Sequence, residues 1–414
     1  MTVKSGENSG LPFLYLALPV MDEPDLLVRL LDCLVRQTYR QFKLFVCVNQ
    51  PESWRHDPGK AGACERNETT MLVLAGFSGI DIEVIDRSSA GHGWTGKKHG
   101  VGYARKTVMD RINSVAAPGD IIVSLDADSV FPETYLGSIA QNFHNHPGAA
   151  ALSVPYFHNT PGDPVAARAI LRYEIYMRHY FLNMVRIGSP YAFTALGSAM
   201  AMPVWAYRAV GGMTPKLSGE DFYFLQKLRK YGRVLLWNDE TVYPEARFSD
   251  RVFFGTGPAM IRGAAGNWTS YPVYSSAFFN EILETYLLLP LLYFQPVNTR
   301  VVAFLSGAFG EADPLLPLRL NHRDMDHFTR AFHEKFDGLR ILQFLKTSQE
   351  SDQMTDEENL WNFMEQCYPP AELAAMQIEP ASFSFADSPT GELEKIRMFL
   401  YRKETEARLT SALP

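Results

Sequence analysis

The first half of the chain alternates two hydrophobic periods. Residues 14–18 form a short apolar run that ends at Pro19, and Leu26, Leu27, Leu30, Leu31 and Leu34 then recur at helical spacing. A second buried strand is predicted at 44–48, and Asp22 or Glu23 ahead of Pro24 marks the start of the first helix. The alternation continues with a helix over 65–77, a strand over 82–85, a helix over 97–112 and a strand over 121–125. Strands and helices in this order predict βαβ units, hence an α/β fold with a mostly parallel, Rossmann-like sheet flanked by helices. Such sheets take ligands beyond the carboxyl ends of their strands. The polar residues at those positions are Asp22 and Glu23, Asn49 and Gln50, Asp86, and Asp126 with Asp128.

Past about residue 254 the pattern becomes helical. Amphipathic stretches over 328–345, 359–368 and 393–409 are separated by proline-rich breaks at 313–317 and 367–370. A chain of 414 residues exceeds what one core usually supports. The expectation is therefore an α/β domain over 11–260 and a mostly helical extension over 261–414. Hydrophobic, aromatic and charged fractions of 46%, 13% and 21% exclude a disordered chain. Residues 187–207 lack charge but are broken by glycines and prolines, and the greasy segment 287–294 is too short to span a bilayer. Both are expected to be buried protein. Four scattered cysteines fit no zinc pattern, and the start of the sequence has no signal-peptide core, so a reducing, cytoplasmic setting is expected.

Three constellations carry candidate chemistry. In IIVSLDADS, Asp126 and Asp128 stand at i and i+2 as a strand runs out, a spacing that puts two carboxylates on one side to hold a hard divalent ion. In LSGEDFYFLQKLRKYG, Glu220 and Asp221 open an amphipathic helix. Carboxylates there commonly just complement the helix dipole, while the chemical reading makes Asp221 a general base. The third is a glycine-rich loop whose residues from Gly91 to Lys97 match the phosphate-cradling pattern G-x-x-x-x-G-K. A P-loop NTPase or phosphotransferase is thus a rival. Against it, Lys98 stands where a P-loop places Ser or Thr, and Asp128 and the Glu220–Asp221 pair are left without a role.

The ordered set LALPVMDEPDLLVRLLDCLVRQTY, KLFVCVN, TGKKHGVGYARKTVMD, DIIVSLDADS, VGGM and GEDFYFLQKLRKYGRV is similar to the family 2 nucleotide-diphospho-sugar glycosyltransferases of the GT-A fold, over residues 11–251. The resemblance implies an inverting, metal-dependent enzyme that moves a sugar from a nucleotide-diphosphate donor to an acceptor hydroxyl. Asp126 and Asp128 would be the D-x-D pair on Mn²⁺ or Mg²⁺, with Asp128 ahead of Asp126 as the direct ligand. Asp221, supported by Glu220, would be the base. Pro19, Asp22 and Glu23 would lie under the nucleoside, Lys97 and Arg105 near donor phosphate or ribose, and Gly197 to Met202 with Gly211 and Gly212 on the acceptor side. Arg247 and Arg251 would sit on a basic loop that closes on the diphosphate.

Departures from the family's pattern are informative. The second strand ends in Asn49 and Gln50 rather than in paired aspartates, which leaves the donor base open, with Asp86 a substitute or a turn residue. The Q-x-x-R-W signature of polymer-making members is missing after Asp221, so transfer of a single sugar is expected. A non-catalytic carbohydrate-binding relative remains a further alternative. Trp94 is the best-placed aromatic to stack on a sugar ring, and His322 and His327 are the histidines considered for the metal site.

The formal net charge of −7 argues against nucleic acid as a partner, but it is unevenly spread. Eleven acidic residues and no Lys, Arg or His lie within 348–394, which leaves the rest with 39 basic against 35 acidic residues. The catalytic portion is thus slightly basic, which suits an anionic donor and permits a weak peripheral touch on the inner membrane face. The extension has two open roles, shaping the acceptor site or forming a homo-oligomer interface.

Overall fold

A computed structural model describes residues 10–250 and 255–412. The chain divides into two compact units. The first is Met1–Pro161, Phe193–Ile261 and Arg408–Pro414, and the second is Gly162–Ala192 with Arg262–Ala407.

The first unit is built on β1 (Leu14–Val20), β2 (Phe42–Asn49), β3 (Ile82–Arg87), β4 (Ile121–Ser124), β5 (Ser129–Val130), β6 (Ala151–Ser153), β7 (Met200–Pro203), β8 (Val234–Leu235) and β9 (Tyr243–Pro244). Seven of these form one mixed sheet in the order β3-β2-β1-β4-β7-β6-β8, and β5 and β9 form a separate ribbon. Pairs β1·β2, β2·β3, β1·β4 and β6·β8 are parallel, whereas β7 runs antiparallel to both β4 and β6. The expectation of a mostly parallel sheet therefore holds, with β7 as the reversed strand. β1 and β4 are apolar runs buried almost throughout, as central strands covered on both faces must be.

Helices flank the sheet: α1 (Pro24–Val35), α2 (Ala61–Gly76), α3 (Val101–Asn113), α4 (Tyr135–Asn145), α6 (Val204–Ala209) and α7 (Glu220–Tyr231) lie in this unit, while α5 (Pro164–Arg186) lies in the other. α1 starts at Pro24, whose fixed φ suits the first helical position, and buries Leu27, Leu30, Leu31 and Leu34. In register Val20 stands beside Val48 and Val48 beside Asp86, so the carboxyl ends of β1, β2 and β3 open on one edge of the sheet. β4 joins them from the other side of β1, with Ser124 beside Ala17.

The second unit is helical. Leu171, Ile175, Phe181 and Leu182 of α5 share a core with Leu360, Phe363 and Met364 of the helix Asp356–Cys367 and with Leu393, Ile396, Phe399 and Leu400. Buried charges on α5 are paired: Glu174 accepts from Arg178 at 3.0 Å and Arg397 at 3.4 Å, and Arg178 also reaches Glu404 at 2.5 Å. The expected single helix over 328–345 is two, Met325–Lys335 and Gly338–Gln349. Asp337 separates them and caps the second by accepting the Arg340 amide at 3.1 Å. No helix among the described residues is long and apolar enough to cross a membrane.

Candidate functional site

β4 ends at Ser124, and the aspartates follow in a turn that the Ser129 amide closes by donating to the Asp126 carbonyl at 3.2 Å. The pair therefore stands in a turn just past the strand, with Asp126 near enough to help raise the Asp128 pKa. The turn gives each its own cation. Asp126 Oδ1 accepts from Arg105 at 2.7 Å, and Asp128 Oδ2 accepts from Arg247 at 3.0 Å.

Arg105 comes from α3 and is 2% exposed. Its guanidinium donates to Asp126, to Glu220 Oε1 at 3.2 Å, to Ser124 Oγ at 2.6 Å, and to the carbonyls of Leu125 at 3.3 Å and Gly197 at 3.2 Å. Burial works against its charge, but Asp126 and Glu220 outweigh that and hold its pKa above the ordinary arginine value. Arg105, the residue expected near donor phosphate or ribose, bonds to the protein's own carboxylates and forms a strut from β4 to α7. The approach requires a glycine at 197. A Cβ there would sit 2.5 Å from Arg105 Nη2 and 3.0 Å from Asp126 Oδ2.

α7 opens from Gly219, in the left-handed region at φ 71°. Glu220 turns inward to Arg105 and is buried, while the following Asp221 is only half-buried. Burial pushes the Asp221 carboxyl up to about 7, and the neighbouring Glu220 charge adds to this. The Phe222 amide, which donates to Asp221 Oδ1 at 2.7 Å, and Arg105 pull the other way and lose. Asp128 is likewise raised, to about 6, by burial first and then by Asp126 and Glu23, with Arg247 in partial opposition.

For a carboxyl raised above its unfolded value, stability is fully present below about pH 4 and is lost as pH rises through the folded value. Asp221→Asn is therefore expected to melt above wild type at pH 8, with the difference shrinking to nothing near pH 4. Melting curves across that range check the sign.

At the ends of β1 and β2 the polar residues interlock. Asp22 adopts φ 65°, its amide donates to Asn67 Oδ1 at 2.7 Å, and its carboxylate pairs with Arg66. Asn67, fully buried on α2, also donates to Gln50 Oε1 at 2.8 Å. Asn49 donates to the Val20 carbonyl at 2.9 Å and accepts from Trp94 Nε1 at 3.2 Å, and the Arg87 guanidinium lies 5.1 Å from the Trp94 ring centroid. Asn67 and Arg66 carry no site signal in the sequence, where Asn67 registers only as a glycosylation triplet. Pro19 lies within β1 and is buried. Asp86 folds back onto its own turn and accepts the amides of Ser88 and Ser89, each at 2.9 Å. Those hydrogen bonds overcome its burial and lower its pKa, and they give it the contacts of a turn residue.

Lys97 is exposed on the glycine-rich loop. A P-loop offers its amides to phosphate, but here the Gly91 and Gly93 amides donate to the Glu52 carboxylate at 2.9 and 2.8 Å. Met200, Ala201 and Met202 are buried in β7 and present no acceptor surface, contrary to expectation. His327 bonds to Asp324 of its own helix at 2.7 Å. Arg251 lies outside the described residues.

The sequence model of the glycosyltransferase-like family 2 matches residues 12–242. That is more than half of the chain, which therefore belongs to this family and is a glycosyltransferase of the nucleotide-sugar class with the GT-A fold. Membership sets aside the P-loop alternative, in keeping with the occupied loop amides. Among solved structures, S. aureus TarS 1–349 in complex with UDP-GlcNAc is 13% identical, covering 80% of this chain and 81% of its own, at a TM-score of 0.41. The mannosyltransferase PcManGT of Pyrobaculum calidifontis, in complex with GDP-Man and Mn²⁺, is 14% identical over 97% of this chain and 86% of its own, at 0.37. No curated protein matches the sequence.

Proposed function

We propose that the enzyme transfers a single sugar, with inversion, from a nucleotide-diphosphate sugar to an acceptor hydroxyl, and that Asp221 is its base. The observation that carries this reading is the Asp221 carboxyl, raised to about 7 and joined through Glu220 and Arg105 to the aspartate turn. A base poised near neutrality can accept the acceptor's proton while its oxygen forms the new bond to the anomeric carbon. The bond from that carbon to the diphosphate oxygen breaks in the same displacement, and no covalent nucleophile is needed.

A divalent ion fits the carboxylates present. Asp128 is raised first by burial and then by Asp126 and Glu23, with Arg247 compensating in part, and the donor set is all oxygen, as Mg²⁺ and Mn²⁺ prefer. Among the described residues no group of three or more His, Cys, Asp or Glu side chains is placed to hold a metal ion, so in this reading one or two carboxylates together with substrate phosphates would have to hold it. Asp128 would be the direct ligand with Asp126 beside it. When bound, the ion would neutralise charge on the departing diphosphate.

Asn49, Asp22 and the loop from Gly91 to Lys97 frame the nucleoside side in this reading, and Arg247 the diphosphate side. The test is a thermal-shift screen of nucleoside diphosphates and nucleotide sugars with Mn²⁺ or Mg²⁺, in which a ligand of the native state raises the melting temperature. With the donor so identified, Asp128→Ala is expected to lower transfer about a hundredfold or more, and a chelator to do the same to wild type. Near wild-type transfer by Asp128→Ala with chelator present would sink the metal reading.

A further inference from the structure

Glu23 and Asp128 share one cation. Arg247 Nη2 lies 3.0 Å and Nε 3.3 Å from Asp128 Oδ2, and Nη2 also donates to Glu23 Oε1. Among the described residues Arg247 is the ion-pair partner of the Asp128 carboxylate, because the other nearby guanidinium, Arg105, is spent on Asp126 and Glu220. The backbone delivers the arginine. Ser129 pairs with Pro244 and Val130 with Tyr243 in the β5·β9 ribbon, and the Glu245 amide then donates to the Asp128 carbonyl at 3.0 Å. Glu245 is also held to α1 by Arg29 at 3.3 Å. Two residues further on, Arg247 falls back onto the same aspartate's carboxylate.

Arg247 is anchored differently from Arg105. Arg105 is sealed inside and bonded on every side, whereas the Arg247 side chain is 28% exposed and residues 245–250 belong to neither helix nor strand. A divalent ion coordinated by Asp128 would sit against a carboxylate whose Oδ2 now receives two N–H bonds from this guanidinium. Two cations on one carboxylate repel at such range, which favours release of the partly exposed arginine. The freed fork is suited to bidentate pairing with phosphate oxygens.

Resting on the metal reading above, we propose that Arg247 is the surrogate cation of the ligand-free site. It neutralises Glu23 and Asp128, gives Asp128 up to the incoming divalent ion, and re-pairs with the donor's diphosphate. The arginine thereby opposes binding of the ion alone and favours the ion together with donor.

Opposite signs in two equilibria test this. Mn²⁺ alone, titrated calorimetrically into Arg247→Met, is expected to bind about tenfold more tightly than to wild type, the scale of a partly exposed ion pair removed. At saturating Mn²⁺ the same variant is expected to bind UDP or GDP, whichever wild type prefers, about tenfold more weakly. Arg247→Gln, which keeps hydrogen-bond donors without the charge, should move both affinities the same way and serves if the Met variant does not fold. Unchanged or weaker Mn²⁺ binding in the charge-free variants, with Asp128→Asn abolishing binding in the wild-type background, would overturn the exchange and leave the metal site standing. If Mn²⁺ binds neither wild type nor the charge-free variants, the metal reading and the exchange fall together.

Discussion

Asp221→Asn is expected to lower turnover by about 10²- to 10⁴-fold, the usual contribution of a general base, while donor affinity changes only a few-fold. The substitution is close to isosteric, so what it removes is the ability to take a proton. The pH profile gives a second reading of the same group. If Asp221 is the base as proposed, catalysis needs its ionised carboxylate, and burial raises this carboxyl to about 7. In wild type, kcat/KM should therefore rise with pH up to about 7 and level off above it, and that rise should be absent from the residual activity of the Asn variant. Loss of donor binding with turnover preserved would show that Asp221 is a ligand for the donor and not the base.

Arg105→Met is expected to be the most destabilising single change in the first unit, by about 3–5 kcal/mol, because it removes one partner of a buried ion pair and leaves the others. Glu220 would be left buried beside a thioether, and Ser124 Oγ and the Leu125 and Gly197 carbonyls would lose a donor. Arg105→Lys should rescue little, since one ammonium cannot span two carboxylates and two carbonyls at the distances seen. Urea unfolding midpoints of both variants decide the matter. A midpoint within about 0.5 kcal/mol of wild type, the range of an ordinary surface change, would mean the strut is dispensable.

The sheet edge that carries the site was legible because its strands are long apolar runs. β1, β2 and β4 bury nearly every residue, and α1 repeats leucine at helical spacing. The two-residue β8 was not legible, since a segment so short has no period to read, and β7, although as long as β4, lies in the uncharged stretch 187–207, which reads only as buried protein. The break at Asp337 was also missed, because the apolar spacing of the two helices joins without a visible step.

At the site, Asp126, Asp128, Glu220 and Asp221 were visible as local patterns. Their partners were not. Glu23 and Arg247 meet across 224 residues, Arg105 and Glu220 across 115, and Glu52 and the loop amides across 39 to 41. Arg105 shows the limit most clearly. Its letter suggests an anion ligand, and only its burial reveals that the anions it holds are the protein's own.

The way the chain threads its two units constrains the order in which they can fold. Arg408 donates to the carbonyls of Ser153 at 3.1 Å and Leu236 at 2.8 Å, so a contact at the sheet edge waits for 255 further residues to be synthesised. α5 is made early yet finds Glu404 and Arg397, which neutralise Arg178 and Glu174, only near the end. Until then Glu174 and Arg178 pair with each other at 3.0 Å without these later partners, which leaves α5 a poor nucleus for vectorial folding. Two discontinuous units of this kind should acquire their structure late and together, with a slow step set by the long loops to be closed.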